Sequence, residues 1–170
     1  NVGETRISGI ETSINGTGKI GDTKFNLLGG YTYIKPISLD RFAPFATDAT
    51  GTDMNYYNSS SADSINVLKY RHEHTAKLDI EMITKKISQG VSLRYSSFMK
   101  NVDKIFTTAL FAMVAPGVNE SRLDLIKGNF IVDYRFAYHL SNTMTLSFIV
   151  NNVFNKMYQS RPCSMMPMRN

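Results

Sequence analysis

Hydrophobic and polar residues alternate in the two clearest stretches of this chain. From Tyr70 to Met82 the even positions carry mostly apolar or aromatic side chains, whereas the odd positions carry mostly charged ones. From Phe130 to Leu140 every even position is aromatic or aliphatic. A period of two indicates β-strands whose two faces meet different environments.

Six segments are predicted as strands, and their connections alternate between short and long. Gly21–Thr23, Thr84–Lys86 and Ser141–Thr143 are predicted as tight turns at one end of the sheet. Asp40–Asn66 and Asp103–Lys127 are long loops at the other end, the second with a short helix over Asn119–Ile126. Short connections join only neighbours, so the chain is predicted to run as an antiparallel meander. The predicted strands are Arg6–Ile20, Lys24–Leu39, Leu68–Thr84, Ile87–Val102, Phe130–Leu140 and Thr143–Tyr158.

Two environments fit this alternation. In a soluble sandwich of lectin type the apolar face meets a dry core, whereas in a membrane barrel it meets lipid and the polar face lines a lumen. Strands much longer than the usual length of about 5–6 residues favour the barrel. Aromatic residues near the strand ends also favour it, because they form girdles at membrane interfaces. These are Tyr31, Tyr33, Tyr70, Phe130, Phe136 and Tyr138.

The barrel interpretation assigns each side chain a face. The residues predicted to face lipid are Leu78, Ile80, Val132, Tyr134, Phe136, Leu146, Phe148 and Val150. The residues predicted to face the lumen are Arg71, Glu73, Lys77, Asp79, Asp133 and Arg135.

Composition and charge exclude several other classes. The formal net charge is +5, but no run of Lys or Arg forms the stripe of a nucleic-acid surface, so nucleic acid is not expected as a partner. Cys163 is the single cysteine, which excludes an intramolecular disulfide and a cysteine-based zinc site. No stretch approaches the roughly 18 apolar residues of a membrane-spanning helix.

No motif predicts an enzyme. Gly16–Gly21 matches G-x-G-x-x-G, but a dinucleotide site needs that pattern to open a helix, and here it leads into a turn and a strand. His72 and His74 share one predicted strand face, which points outwards, so we interpret them as interfacial residues rather than metal ligands. No Ser, His and Asp set converges. We expect neither catalysis, nor a cofactor, nor a metal.

Four segments resemble TonB-dependent receptors, in that family's order. Thr5–Glu11 is similar to the family's R-x-x-G-(V/I)-E strand, and Leu68–His74 to a strand opening with a hydrophobic residue, a Tyr-Arg pair and a His. Phe148–Tyr158 resembles the penultimate strand, V-x-N-(L/V)-F-(N/D)-x-x-Y. Arg161–Arg169 resembles the approach to the final strand, in the form common in Bacteroidota.

The resemblance implies an all-β fold in which residues 1–170 form the C-terminal part of a transmembrane barrel of about 22 strands. Six strands would be present, with the plug, the TonB box and the final strand lying elsewhere. Loops 40–66 and 103–127 would face outwards from a bacterial outer membrane. The implied function is import of a scarce nutrient, in the siderophore and vitamin branch of the family. Implied partners are the rest of the receptor, the TonB complex and outer-membrane lipid, with a surface lipoprotein as a further candidate.

The two loops carry the candidate ligand-binding residues, because binding side chains concentrate on loops held by a rigid scaffold. Aromatic rings with a few polar groups suit a chelate, a vitamin or a peptide, although the same residues would also serve to pack the loops. Two rivals stay open: a non-transporting barrel of an adhesin or surface complex, and a soluble β-sandwich. The candidates are Phe42, Asp48, Asp53, Tyr56, Tyr57, Phe111 and Met113.

Overall fold

A computed structural model describes residues 3–156 and Tyr158. The helical elements are a 3-10 helix at Lys104–Thr107, α1 (Ala109–Val114) and α2 (Val118–Asp124). The strands are β1 (Thr5–Ile20), β2 (Thr23–Ser38), β3 (Pro44–Thr47), β4 (Asp53–Asn55), β5 (His74–Thr84), β6 (Ile87–Ser96), β7 (Asn129–His139) and β8 (Thr145–Val150).

Six strands form one antiparallel sheet in the order β1-β2-β5-β6-β7-β8, and β3 pairs with β4 in a separate hairpin. The predicted meander is therefore confirmed. The hairpin lies inside the first long loop and was not predicted. The short helix predicted over Asn119–Ile126 is confirmed as α2.

The three predicted turns are confirmed at one end of the sheet. Two of them are two-residue hairpin connections, which favour positive φ at the first turn residue. Gly21 has φ 58° and Lys85 has φ 48°. The third is closed by the N–H of Leu140, which donates to the carbonyl oxygen of Met144 at 3.0 Å.

The predicted strands Leu68–Thr84 and Ile87–Val102 are too long, because β5 begins only at His74 and β6 ends at Ser96. Tyr70 has φ 59°, and its N–H donates to the carbonyl oxygen of Asn101 at 2.9 Å. The chain therefore leaves the sheet before β5 and again after β6, and the segments beyond these strands pair with each other. His72 does not share a strand with His74, contrary to prediction.

The same correction applies to two predicted lumen residues, Arg71 and Glu73, which precede β5. Glu73 instead forms an ion pair of 2.5 Å with Lys100 of the second loop. Alternation alone did not reveal this, because polar and apolar residues continue to alternate through the bend at Tyr70.

The predicted strand Thr143–Tyr158 is also wrong in length, because β8 covers only Thr145–Val150. Asn152 has φ 53° and Asn155 has φ 47°, a left-handed conformation that cannot continue an extended strand. The chain stays beside β7, one residue out of register, since the N–H of Val153 donates to Val132 at 2.7 Å. The Arg161–Arg169 segment lies outside the described residues.

The residues predicted to face lipid share one face of the sheet, as predicted. No second sheet packs on this face within residues 3–156, and Leu146 and Phe148 are 62% and 60% exposed. The described residues therefore do not form the β-sandwich. Two cross-strand rows illustrate the face: Ile80–Val91–Tyr134–Val150 and Leu78–Leu93–Val132.

The opposite, polar face carries charged side chains that bridge the strands. The guanidinium of Arg135 donates to both carboxylate oxygens of Asp79, at 2.9 and 3.0 Å. It passes over Gly90, where a Cβ atom would lie 2.8 Å from the guanidinium. Arg94 pairs with Asp133 at 2.7 Å. Such cross-strand pairs are worth roughly 0.2–1 kcal/mol each.

Candidate ligand-binding site

Two long loops cover one end of the polar face, opposite the tight turns. The first long loop (residues 39–73) joins β2 to β5, and the second long loop (residues 97–128) joins β6 to β7. The first loop returns along β2, where the N–H of Ser38 donates to Asn66 at 2.8 Å. Two bridges join the loops to each other: Ser60–Asp103 and His72–Met99.

Asn101 is the centre of this junction and is 0% exposed. Its amide nitrogen donates to the carbonyl oxygen of Val67 at 2.7 Å and to the hydroxyl of Ser60 at 3.3 Å. Its amide oxygen accepts from the N–H of Ala62 at 3.3 Å. A single side chain of the second loop therefore satisfies three groups of the first loop.

A charged cluster adjoins Asn101. The ammonium of Lys69 pairs with Asp103 at 2.7 Å and donates to the hydroxyl of Ser59 at 2.8 Å. The hydroxyl of Tyr70 donates to the other oxygen of Asp103. Because Lys69 and Tyr70 belong to the first loop and Asp103 to the second, this cluster also fastens the loops together.

Tyr56, one of the predicted ligand residues, belongs to the core of this junction and is only 5% exposed. Its hydroxyl donates to Val67 at 3.1 Å and accepts from the N–H of Lys69. Burial raises the pKa of the Tyr56 hydroxyl above its ordinary value. These contacts give Tyr56 a packing role in the loops. Met99, Val102 and Ile131 are also buried.

Phe42 and Tyr57 form an exposed aromatic pair whose ring centroids are 5.3 Å apart. The guanidinium of Arg41 lies 4.8 Å from the Phe42 centroid and 5.3 Å from the Tyr57 centroid. It also donates to the side-chain oxygen of Asn66 at 2.8 Å. We call Arg41, Phe42 and Tyr57 the aromatic platform, which offers a cation and two rings to solvent.

Asp48 and Asp53 flank the tip of the β3–β4 hairpin. One carboxylate oxygen of Asp48 accepts from the hydroxyl of Thr50 at 2.6 Å and from the N–H of Thr52 at 2.9 Å. The hydrogen bond from the Thr50 hydroxyl, followed by those from the backbone N–H groups of Thr52 and Thr50, lowers the pKa of Asp48. Asp53 accepts from the hydroxyl of Thr47 at 3.4 Å. Both carboxylates thus help to shape the hairpin.

Phe111 and Met113 lie on α1 in the second loop. The ring of Phe111 meets the ring of Phe106 edge-on, with centroids 5.0 Å apart, whereas Met113 is 82% exposed. The seven predicted residues therefore divide among the aromatic platform, the hairpin, the buried junction and α1. The structure does not gather them into one site.

A cavity of about 520 Å³ lies between the second loop and the polar face of β5–β7. This volume lies within the range of about 300–1,000 Å³ that small-molecule sites occupy. No Asp or Glu is found among the described residues that line it. The lining includes His72, Lys77, Arg94, Phe98, Arg122 and Ile131.

Several contacts hold the guanidinium of Arg122, which belongs to α2. Its guanidinium donates to the carbonyl oxygens of Met99 and Lys100, both at 3.1 Å, and lies 4.6 Å from the centroid of the Phe98 ring. Its Nε atom is buried without a hydrogen-bond partner in the described part of the chain. Burial lowers the pKa of the Arg122 guanidinium.

Sequence reasoning missed Arg41, Asn101 and Arg122. Arg41 stands next to the predicted Phe42, so the pairing of a cation with nearby aromatic residues could have indicated it. Nothing in the sequence marks Asn101 or Arg122, because their partners lie in segments far away in the chain.

The helices of the described region are all too short to cross a membrane. Over the same residues, no group of three or more His, Cys, Asp or Glu side chains is close enough to hold a metal ion.

The sheet and its loops define a wall segment of an antiparallel β-barrel with loops folded over one end. The sequence model of a family described as "TonB dependent receptor-like, beta-barrel" matches residues 1–153. The chain therefore belongs to this family of TonB-dependent receptor barrels.

A solved structure has a similar fold. It is the ferric-catecholate import receptor Fiu from E. coli K12, in its closed form, with a TM-score of 0.61 and 21% sequence identity. The alignment covers 94% of this chain but only 18% of that chain. The chain thus spans less than a fifth of the receptor whose fold it shares. No curated protein matches it.

Proposed function

We propose that this chain is part of a TonB-dependent receptor that binds a scarce nutrient at the cell surface and imports it through a plugged barrel. The observation that carries the proposal is the family match over residues 1–153. The chain would contribute a section of wall and two ligand-binding loops, while energy coupling would lie in other parts of the receptor.

The bacterial outer membrane is the proposed location. The apolar face has aromatic residues near the loop end. There the ring of His74 stacks on the ring of Tyr33 with centroids 4.9 Å apart, and its Nδ1 atom shares a hydrogen bond of 2.8 Å with the hydroxyl of Tyr31. Such an aromatic band suits the interface between lipid and water. The hydrogen-bonded charges of the opposite face suit a hydrated lumen.

The proposed ligand belongs to the siderophore or vitamin class, and the proposed host group is Bacteroidota. Fiu is an import receptor for ferric catecholates, which supports an iron chelate as the first class to test. The residues proposed to contact ligand are Phe42, Asp48, Asp53, Tyr56, Tyr57, Phe111 and Met113. The exposed aromatic platform supports Phe42 and Tyr57 most directly, whereas the burial of Tyr56 favours a supporting role.

The proposed partners are the remaining strands and plug of the same receptor, the TonB complex and outer-membrane lipid. A surface lipoprotein is a further proposed partner. It is supported by the apolar side chains that α1 presents to solvent, where Leu110 and Val114 are 74% and 79% exposed.

Nutrient uptake by a strain that lacks the full-length gene would test the proposed function. We expect the null strain to lose TonB-dependent uptake of one radiolabelled ferric siderophore or vitamin, and the intact gene to restore it. Replacing both Phe42 and Tyr57 with Ala should weaken uptake without lowering the amount of receptor in the membrane. Uptake of every tested nutrient at the wild-type rate in the null strain would contradict import and favour a non-transporting barrel.

A further inference from the structure

Two cations face each other on the cavity floor. Lys77 of β5 and Arg94 of β6 are directly opposite in the strand register, on the polar face. Like charges in directly opposite positions destabilise a strand pair. For Arg94 this repulsion is offset by an ion pair with Asp133, whose carboxylate is 2.7 Å away.

Lys77 has no comparable ion pair. On its other side the register places Gly30, which offers no side chain. The side chain of Lys77 is exposed and makes no hydrogen bond or ion pair with the other described residues. The nearest acid along β5 on the same face, Asp79, is held at both oxygens by Arg135.

Arg122 supplies a second charge from the opposite wall of the cavity. Two backbone carbonyl oxygens hold its Nη2 atom, but no carboxylate pairs with it in the described chain, and its buried Nε has no partner. Carbonyl oxygens leave the positive charge of the guanidinium unbalanced, and an occupant with an anionic oxygen would balance it.

We propose that this cavity binds an oxyanion of the carboxylate or phosphate type between Lys77 and Arg122. The inference rests on the proposed function. In a receptor, a cavity under the surface loops would hold either the imported ligand or a part of the receptor that fills the same space. The ring of Phe98 and the side chain of Ile131 give the remaining lining an apolar surface for the body of the occupant.

Two sources supply this chemistry: a diffusible anion, or an acidic side chain from another part of the receptor. The side chains of residues 157–170 include no Asp or Glu, so they do not provide it. Both sources require the same charges, and the experiment separates them.

The test uses the purified full-length receptor in a neutral detergent, titrated calorimetrically with citrate and, separately, with inorganic phosphate. If the anion is diffusible, wild type binds at least one probe. Lys77→Met and Arg122→Gln should each weaken that affinity by about tenfold or more, the loss expected for one charge-assisted contact. Lys24→Met is the matched control, since Lys24 is an exposed lysine on the same face, near the turn end, and does not line the cavity.

If an acidic side chain of the receptor occupies the cavity, wild type binds neither probe. A carbodiimide should then couple the Lys77 amine to a carboxylate elsewhere in the receptor, a cross-link that mass spectrometry locates and that Lys77→Met abolishes. Absence of both binding and cross-linking overturns the proposal, as does an equal loss of affinity in Lys24→Met. Neither readout requires transport, so a receptor that failed the uptake test could still pass this one.

Discussion

The carboxylate of Asp133 accepts a hydrogen bond of 2.7 Å from the backbone N–H of Asn152. Its other oxygen accepts from the guanidinium of Arg94, also at 2.7 Å. One side chain of β7 therefore pairs charge across the sheet and fixes the turn that ends β8. Asn adopts the left-handed conformation found at this turn more readily than most residues.

Asp133 variants separate these two contacts. Asp133→Asn keeps a side-chain oxygen for Asn152 and loses only the charge pair with the half-exposed Arg94, so it should cost under about 1 kcal/mol of unfolding free energy. Asp133→Ala also leaves the Asn152 N–H without its acceptor and should cost about 1–3 kcal/mol. Denaturant unfolding of the full-length receptor measures both. Equal costs would show that the Asn152 bond contributes nothing.

Gly9 marks a close approach between β1 and β2. A Cβ atom at Gly9 would lie 2.2 Å from the carbonyl oxygen of Tyr33, whereas one at Gly16 of the same strand would meet nothing within 4 Å. Gly9→Ala must displace backbone and should cost about 1–3 kcal/mol. Gly16→Ala, the matched control, should stay within about 0.5 kcal/mol of wild type. Thermal unfolding of the two variants decides, and equal melting temperatures would contradict the close approach.

Alternation predicted the sheet well because side-chain period and strand pairing have the same origin in the pleated backbone. Alternation predicted strands that were too long where one residue turns the chain without breaking the pattern, as Tyr70 does before β5. Beyond β8, Asn152 and Asn155 adopt left-handed conformations inside a segment that still resembles a strand. The period of two indicates which face of the sheet each side chain occupies, but it does not reveal a single unusual φ angle.

The loops could be predicted only as places where ligand residues concentrate. Phe42 and Tyr57 meet in the exposed platform, but Tyr56, next to Tyr57 in sequence, points into the junction. Neighbouring aromatic residues thus have opposite exposure, and the difference is set by Asn101 and Lys69, which no local pattern connects to Tyr56. Long-range polar contacts of this kind have no period in the sequence.

The two faces of β8 provide a direct test of which side meets lipid. Ser147 and Phe148 are adjacent and both exposed, with Ser147 on the polar face and Phe148 on the apolar face. Phe148→Arg should cost up to about 2–4 kcal/mol if it lies near the bilayer midplane, and less nearer the interface. Ser147→Arg, into a hydrated lumen, should cost under about 1 kcal/mol. Unfolding of the receptor in lipid vesicles measures the difference, and the reverse order would show that the faces are assigned the wrong way round.

The buried amide of Asn101 should decide whether the two loops behave as one unit. Asn101→Ala removes the donor to Val67 and the acceptor for Ala62, and each group left unsatisfied costs about 1–3 kcal/mol.

Hydrogen exchange of the full-length receptor, followed by mass spectrometry, should therefore speed up in peptides covering residues 56–72 and 97–103 alike, while β6 and β7 keep their protection. Asn142→Ala, in the exposed turn between β7 and β8, is the control and should change neither loop. Faster exchange confined to the second loop would mean that the junction does not couple them. Faster exchange throughout β6 and β7 would mean that the loops help to hold the wall itself.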